Sequence, residues 1–168
     1  MITIRNLDHS LSFHLLFKGI VCLILSVLVS CTEKDFFSEY HSISNAKWNQ
    51  EDTLGFTFQV YDTLSYYDVF LELRHNNNYP FQNIWLFIDY QTPSGLVRSD
   101  TLNAELADVY GKWYGKGIGL HSYSFPYAFH IQYKDTGTYI YNIRQGMREN
   151  PLNGINDVGL RISKKANQ

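Results

Sequence analysis

The sequence predicts an all-β protein, an antiparallel β-sandwich with jelly-roll-like topology. Three observations carry that expectation. Tyrosine and phenylalanine, 13 and 11 residues, dominate the apolar set, and both suit a pleated, half-buried surface. Apolar residues return with a period of two in short runs. Clusters of Asn, Pro, Gly and Asp separate those runs at short, regular spacing. No segment holds a helical stripe; "AELADVYGKW", from Ala104, has room for one turn at most before Gly111 breaks it.

In chain order, the first element is a processing signal. Lys18 precedes the apolar and small-residue run "GIVCLILSVLV", Gly19 to Val29, which is too short to span a bilayer. "LVSC", Leu28 to Cys31, then matches a bacterial lipobox: Leu three positions before the cysteine, a small residue just before it, then Cys. The small residue lets the peptidase close on the backbone, and the Cys31 thiol takes a diacylglyceryl group. Cleavage frees the Cys31 amine for a further acyl chain such as palmitate. Each buried methylene adds about 0.8 kcal/mol, and one chain alone holds only marginally. Two or three chains on Cys31 therefore make a firm anchor. Residues 1–30 are expected to be a signal peptide, and Cys31 the first residue of an anchored mature protein. The other cysteine, Cys22, falls inside the segment removed, so the mature domain holds together by core burial without a disulfide. It is long enough for one domain with a sizeable core.

Residues 31–50 read as a tether that lifts the domain off the bilayer and partly packs on it. "TEKDFFSEYHSISNAKWNQ" is polar with scattered aromatics and shows neither period. Glu33, Lys34 and Asp35 either form a sorting signal or solvate that tether. The sandwich is expected over residues 51–168. In "LGFTFQVY", Phe56, Phe58 and Val60 share one face while Thr57 and Gln59 take the other. "YYDVFLELRH" sets Tyr67, Val69, Leu71 and Leu73 against Asp68, Phe70, Glu72 and Arg74. "NIWLFIDYQ" is apolar on nearly both faces, Ile84, Leu86 and Ile88 against Trp85 and Phe87. Such a strand is expected to be central or covered on both sides. "LVRSDTLNAEL" alternates more weakly and belongs nearer an edge. "YSFPYAFHIQY", interrupted by Pro126, "TYIYNIRQGM" and "DVGLRI" complete seven or eight strands.

The whole chain has a formal charge of −2, and the part beyond the signal stays acidic, which disfavours nucleic-acid binding. "GKWYGKGIG", Gly111 to Gly119, fails as a phosphate loop: only three residues separate Gly111 from Gly115-Lys116, and Gly117 follows where a hydroxyl residue is needed. Position 120 is Leu, so the dinucleotide fingerprint fails too. The stretch reads as a turn whose glycines supply positive φ, with Trp113 and Tyr114 capping the sandwich end. His75, His121 and His130 lack metal-ligand spacing, though His121 and His130 have room to converge across strands. Asp100, Asp108 and Asp157 are the carboxylates to weigh for glycosidase chemistry, but aspartates at such positions cap turns. No catalytic residue, metal or cofactor is assigned. Tyr79, Phe81, Trp113 and Tyr114, with Tyr123 and Tyr127, fall near turns, and the first four make a candidate contact surface for a protein or a sugar ring.

Three segments together resemble the gliding-motility lipoprotein GldH family. They are "RHNNNYPFQNIWLFI", Arg74 to Ile88; "DTLNAELADVYGKWYGKGIG", Asp100 to Gly119; and "GMRENPLNGINDVGLRI", Gly146 to Ile162. The resemblance implies a cell-envelope lipoprotein anchored to a membrane through Cys31, facing the periplasm or the cell surface. It implies a non-catalytic role with the gliding and associated secretion apparatus, acting through contacts with other envelope proteins. It brings no enzyme activity and no cofactor. The alternative on the same fold is a carbohydrate-binding module or a degenerate glycan hydrolase.

Overall fold

The computed structural model describes residues 35–165. Two sheets of four strands face each other, and all pairings are antiparallel. The first sheet contains β1 (Phe37–Ser42), β4 (Tyr67–Asn76), β7 (Leu120–Ile131) and β10 (Ile155–Lys164), in the order β1-β10-β4-β7. The second contains β3 (Leu54–Val60), β5 (Asn83–Gln91), β6 (Val97–Glu105) and β8 (Gly137–Gln145), in the order β3-β8-β5-β6. A small ribbon of β2 (Lys47–Trp48) and β9 (Leu152–Asn153) lies beside them. Successive long strands alternate between the sheets, except that β5 and β6 form a hairpin. That strand order is the jelly roll.

The alternation read from the sequence decides which faces meet. Phe56, Phe58 and Val60 of β3 are buried while Thr57 and Gln59 are exposed. Tyr67, Val69, Leu71 and Leu73 of β4 meet Ile84, Leu86 and Ile88 of β5 within one core. β4 lies between β10 and β7, and its outward side is covered as well. There Arg161 lies 4.0 Å above the Phe70 ring and donates to Glu72 at 2.7 Å. β6 is an edge strand, as its weak alternation predicts. β7 runs through Pro126 with register shifts nearby; it is the edge of its sheet, where a missing amide donor is tolerated.

One expectation needs correction. The segment read as a tether that only partly packs on the domain belongs largely to the body. Backbone bonds join β1 to β10, Phe36 and Phe37 pack on the core, and Trp48 is fully buried with its indole N–H donating to the Asp52 carbonyl at 3.0 Å. Asp35 accepts from Ser163 at 2.8 Å and pairs with Arg161 at 3.4 Å, so it is clamped rather than solvating a spacer. Periodicity missed it because polarity does not follow its faces: Phe37 and the polar His41 contact the Phe58 and Phe56 rings, while the Tyr40 ring is exposed beside Arg74. β5 takes the first of its two expected placements: it is central, with its outer side open, Trp85 and Phe87 being 43% and 40% exposed.

Candidate functional site

Trp85 and Phe87 project from β5 onto the outer face of the second sheet. Their cross-strand neighbours are polar: Asn103 and Thr101 on β6, and Arg144 on β8. Together with Phe81, Asn83, Thr101, Gly146, Met147 and Arg148, the two rings line an open groove of about 560 Å³. Gly146 makes this shape possible, since a Cβ there would come within 3.0–3.1 Å of the Phe87 ring edge. A larger residue at that position would push the ring aside by a few tenths of an ångström. The Gly146 N–H donates to the Trp85 carbonyl at 2.7 Å, and the Trp85 N–H donates to Met147 Sδ at 3.2 Å. Arg144 lies 5.9 Å from the Phe87 ring centre and pairs with Asp89 at 3.5 Å. The groove therefore offers two aromatic faces, a sulfur-lined floor and the exposed Arg148, a set enriched at the centres of protein interfaces. Among the described residues that line it, none is a carboxylate.

The glycine-rich connection is a turn. Gly111, Gly117 and Gly119 take positive φ, and a Cβ on Gly117 would fall 2.0 Å from the Leu120 carbonyl oxygen. Asp108 accepts from the Tyr110 and Lys112 amides, both at 2.9 Å, and so caps that turn. Trp113 bridges to Ala107 and packs edge-on to His75 at 4.4 Å. Of the candidate contact residues, Phe81 lines the groove and Tyr114 is 48% exposed. Trp113 is half-buried against the core. Tyr79 is a correction: it is 3% exposed, its hydroxyl donates to the Asn83 carbonyl at 2.7 Å, and it presents nothing to a partner. Cys31 lies outside the described residues.

The histidines also pair differently from expectation. His75 and His121 stack at 5.2 Å, while His130 stacks on Tyr66 at the other end of the molecule. His75 is fully buried, and burial pushes its pKa below the ordinary 6.5. Of the weighed carboxylates, Asp100 accepts from Tyr127 at 3.2 Å, and Asp157 accepts from Ser42 at 2.6 Å and faces Arg74 at 3.8 Å. Together with the Asp108 cap, these bonds place the three in separate structural roles. Burial pushes the hydroxyls of Tyr79, Tyr127, Tyr133 and Tyr141 well up, and that of Tyr90 to about 12, so these rings act as packing.

Sequence reasoning missed Trp85 and Phe87 as surface residues because apolar residues on both sides of a strand read as double burial. The signal that separates the cases lies on the neighbouring strands, whose residues on the same face, Thr101, Asn103 and Arg144, are polar.

The described residues thus form an eight-stranded antiparallel jelly roll with two aromatic rings exposed on one sheet face. The chain belongs to the GldH lipoprotein family, whose pattern matches residues 35–162. It is 36% identical over 156 residues to the gliding motility lipoprotein GldH of Flavobacterium johnsoniae, covering 88% of this chain and 96% of that one. It is 34% identical over 146 residues to the gliding motility lipoprotein GldH homolog of Christiangramia forsetii, covering 82% and 89%.

Proposed function

We propose that this chain is acylated on Cys31, stays in the cell envelope on a membrane facing the periplasm or the cell surface, and serves gliding motility and associated protein secretion without catalysis. Its contribution is to hold other envelope proteins on the groove around Trp85 and Phe87. The observation that carries this reading is the outward pair of rings whose cross-strand neighbours, Asn103, Thr101 and Arg144, are polar, with Met147 and Arg148 beside them. The relatives' names support the process, and the lipobox at Leu28 to Cys31 supports the anchor.

Two measurements test the reading. Intact mass and cell fractionation check the anchor: the parent carries acyl mass and sediments with membranes, whereas Cys31→Ala loses both. A Cys31→Ala protein held as firmly as the parent refutes lipidation. For the groove, affinity capture from detergent-solubilised envelope compares the parent with a Trp85→Ala/Phe87→Ala double variant. The parent retains envelope proteins that the variant loses, while the melting temperature stays close to the parent's, because both rings are largely outside the core. Equal recovery refutes the assignment.

The same two rings support a second reading, a carbohydrate-binding module, since exposed aromatic faces beside Asn83 and Thr101 suit sugar rings. Glycan-array retention that depends on Trp85, without a protein partner, would reverse the order. Hydrolysis is disfavoured, because it needs facing carboxylates and the lining residues named above supply none.

A further inference from the structure

One end of the jelly roll gathers exposed apolar side chains that the groove does not use. Tyr61 and Leu64, in the β3–β4 loop, are 80% and 81% exposed, and Phe129 near the end of β7 is 60% exposed. Leu96 and Val97 in the β5–β6 hairpin are exposed at the same end, since Pro93 of that hairpin lies against Gly137, the partner of Val60. The loop carrying Leu64 is held in place. Asp62 accepts from the Leu64 and Ser65 amides, the Ser65 hydroxyl and Lys164, and Gln132 donates to the Thr63 carbonyl at 2.8 Å. Tyr66 stacks on His130 at 3.9 Å. These contacts fix the loop backbone while leaving Tyr61 and Leu64 turned to solvent.

The chain enters the domain at this same end. Asp35 is bonded to Ser163 and Arg161, the Phe36 ring lies 5.0 Å from that of Tyr67, and the Lys165 amide donates to the Tyr66 carbonyl. Asp35 is four residues after Cys31, a stretch that spans at most about 14 Å when fully extended. A lipid on Cys31 therefore leaves no spacer long enough to lift this end clear of the headgroups.

We propose that the β3–β4 loop, the β5–β6 hairpin and the end of β7 dock on the bilayer surface, with Leu64, Leu96 and Phe129 entering the interface and Tyr61 and Tyr66 at headgroup level. The inference rests on the lipid-anchor reading. Tyrosine suits that depth because its ring is apolar and its hydroxyl wet, and apolar side chains bind by burying into the headgroup–acyl boundary. Lys164 and Lys165 beside this end are paired with Asp62 and Asp68, so their charges are offset and the apolar side chains carry the contact.

The test uses the acylated protein in vesicles of zwitterionic and anionic phospholipid. Leu64→Cys carries an environment-sensitive fluorophore, and Ile118→Cys, fully exposed at the opposite end, carries the same label as the reference. Docking gives a blue-shifted Leu64 signal that loses most of its emission to a lipid-borne quencher, while the Ile118 signal stays aqueous and unquenched. A Leu64 label as aqueous as that at Ile118 overturns the proposal. A shielded Leu64 label that lipid quenchers do not reach also overturns it, in favour of a protein covering this end. Intact mass of the same sample reports the anchor separately: missing acyl mass refutes lipidation and removes the basis for docking, whereas acyl mass with an aqueous label refutes docking alone.

Discussion

His75 shows how one side chain's surroundings become a pH dependence. Its ring is enclosed by Trp113 at 4.4 Å, His121 at 5.2 Å and Tyr79 at 5.6 Å, with only a long 3.4 Å contact to the Asn76 carbonyl. Burial disfavours the cation, and His121 adds a like charge when protonated. The folded state therefore binds a proton less readily than the unfolded chain, whose histidine titrates near 6.5. Above that value His75 is neutral in both states and makes no difference. As the pH falls below it, the unfolded chain takes up the proton first, and stability drops until the folded-state pKa is passed. Melting temperatures from pH 7.5 to 5 should fall in the parent, and His75→Phe should flatten that slope. Equal slopes would show that another group dominates. Trp113→Ala, which strips one wall from His75, removes core contact as well as an end cap, so it should lower stability along with any effect on binding.

β1 and β2 belong to the fold, and that changes what their loss should do. Phe37 to Ser42 pairs with Ile162 to Asp157 along the whole of β1, and Trp48, fully buried, pairs with Leu152 of β9. Truncating a fully buried indole costs about 3–5 kcal/mol by lost transfer energy and the cavity left behind. Trp48→Ala should show that loss in chemical denaturation, whereas Lys47→Ala, exposed on the same short strand, should change little. A Trp48→Ala protein as stable as the parent would return this segment to the status of a tether. At β5, one element serves two purposes: Ile84, Leu86 and Ile88 hold the sheets together while Trp85 and Phe87 face outward. Leu86→Asp should leave the chain unfolded, because an unpaired carboxylate in the core costs several kcal/mol. Soluble Leu86→Asp protein with unchanged melting would refute the assigned faces.

In the arrangement proposed here, the sandwich separates attachment from recognition. The nine residues of β5, rising about 3.4 Å per step, put the β5–β6 hairpin of the proposed lipid-facing end about 27 Å from the start of β5 at Asn83. Phe81 and Asn83, at that far end, begin the groove. A domain held down in that way by one end would keep its second sheet accessible to neighbours in the envelope. A rigid jelly roll suits the task, because the anchor end and the groove are parts of the same two sheets.

The amino-acid order by itself determined the β class, the inward faces of β3, β4 and β5, the edge position of β6 and the turn at Gly111 to Gly119. A period of two is a local property: each side chain's direction follows from its neighbours along the strand. The tertiary structure alone decided that Phe36 to Trp48 join the body, that Tyr79 is buried, that His75 rather than His130 meets His121, and that Trp85 and Phe87 remain in water. Each of these depends on which strand lies beside or above the residue. Strand pairing joins positions as distant as Phe37 and Ile162, and no periodicity within either segment records the other.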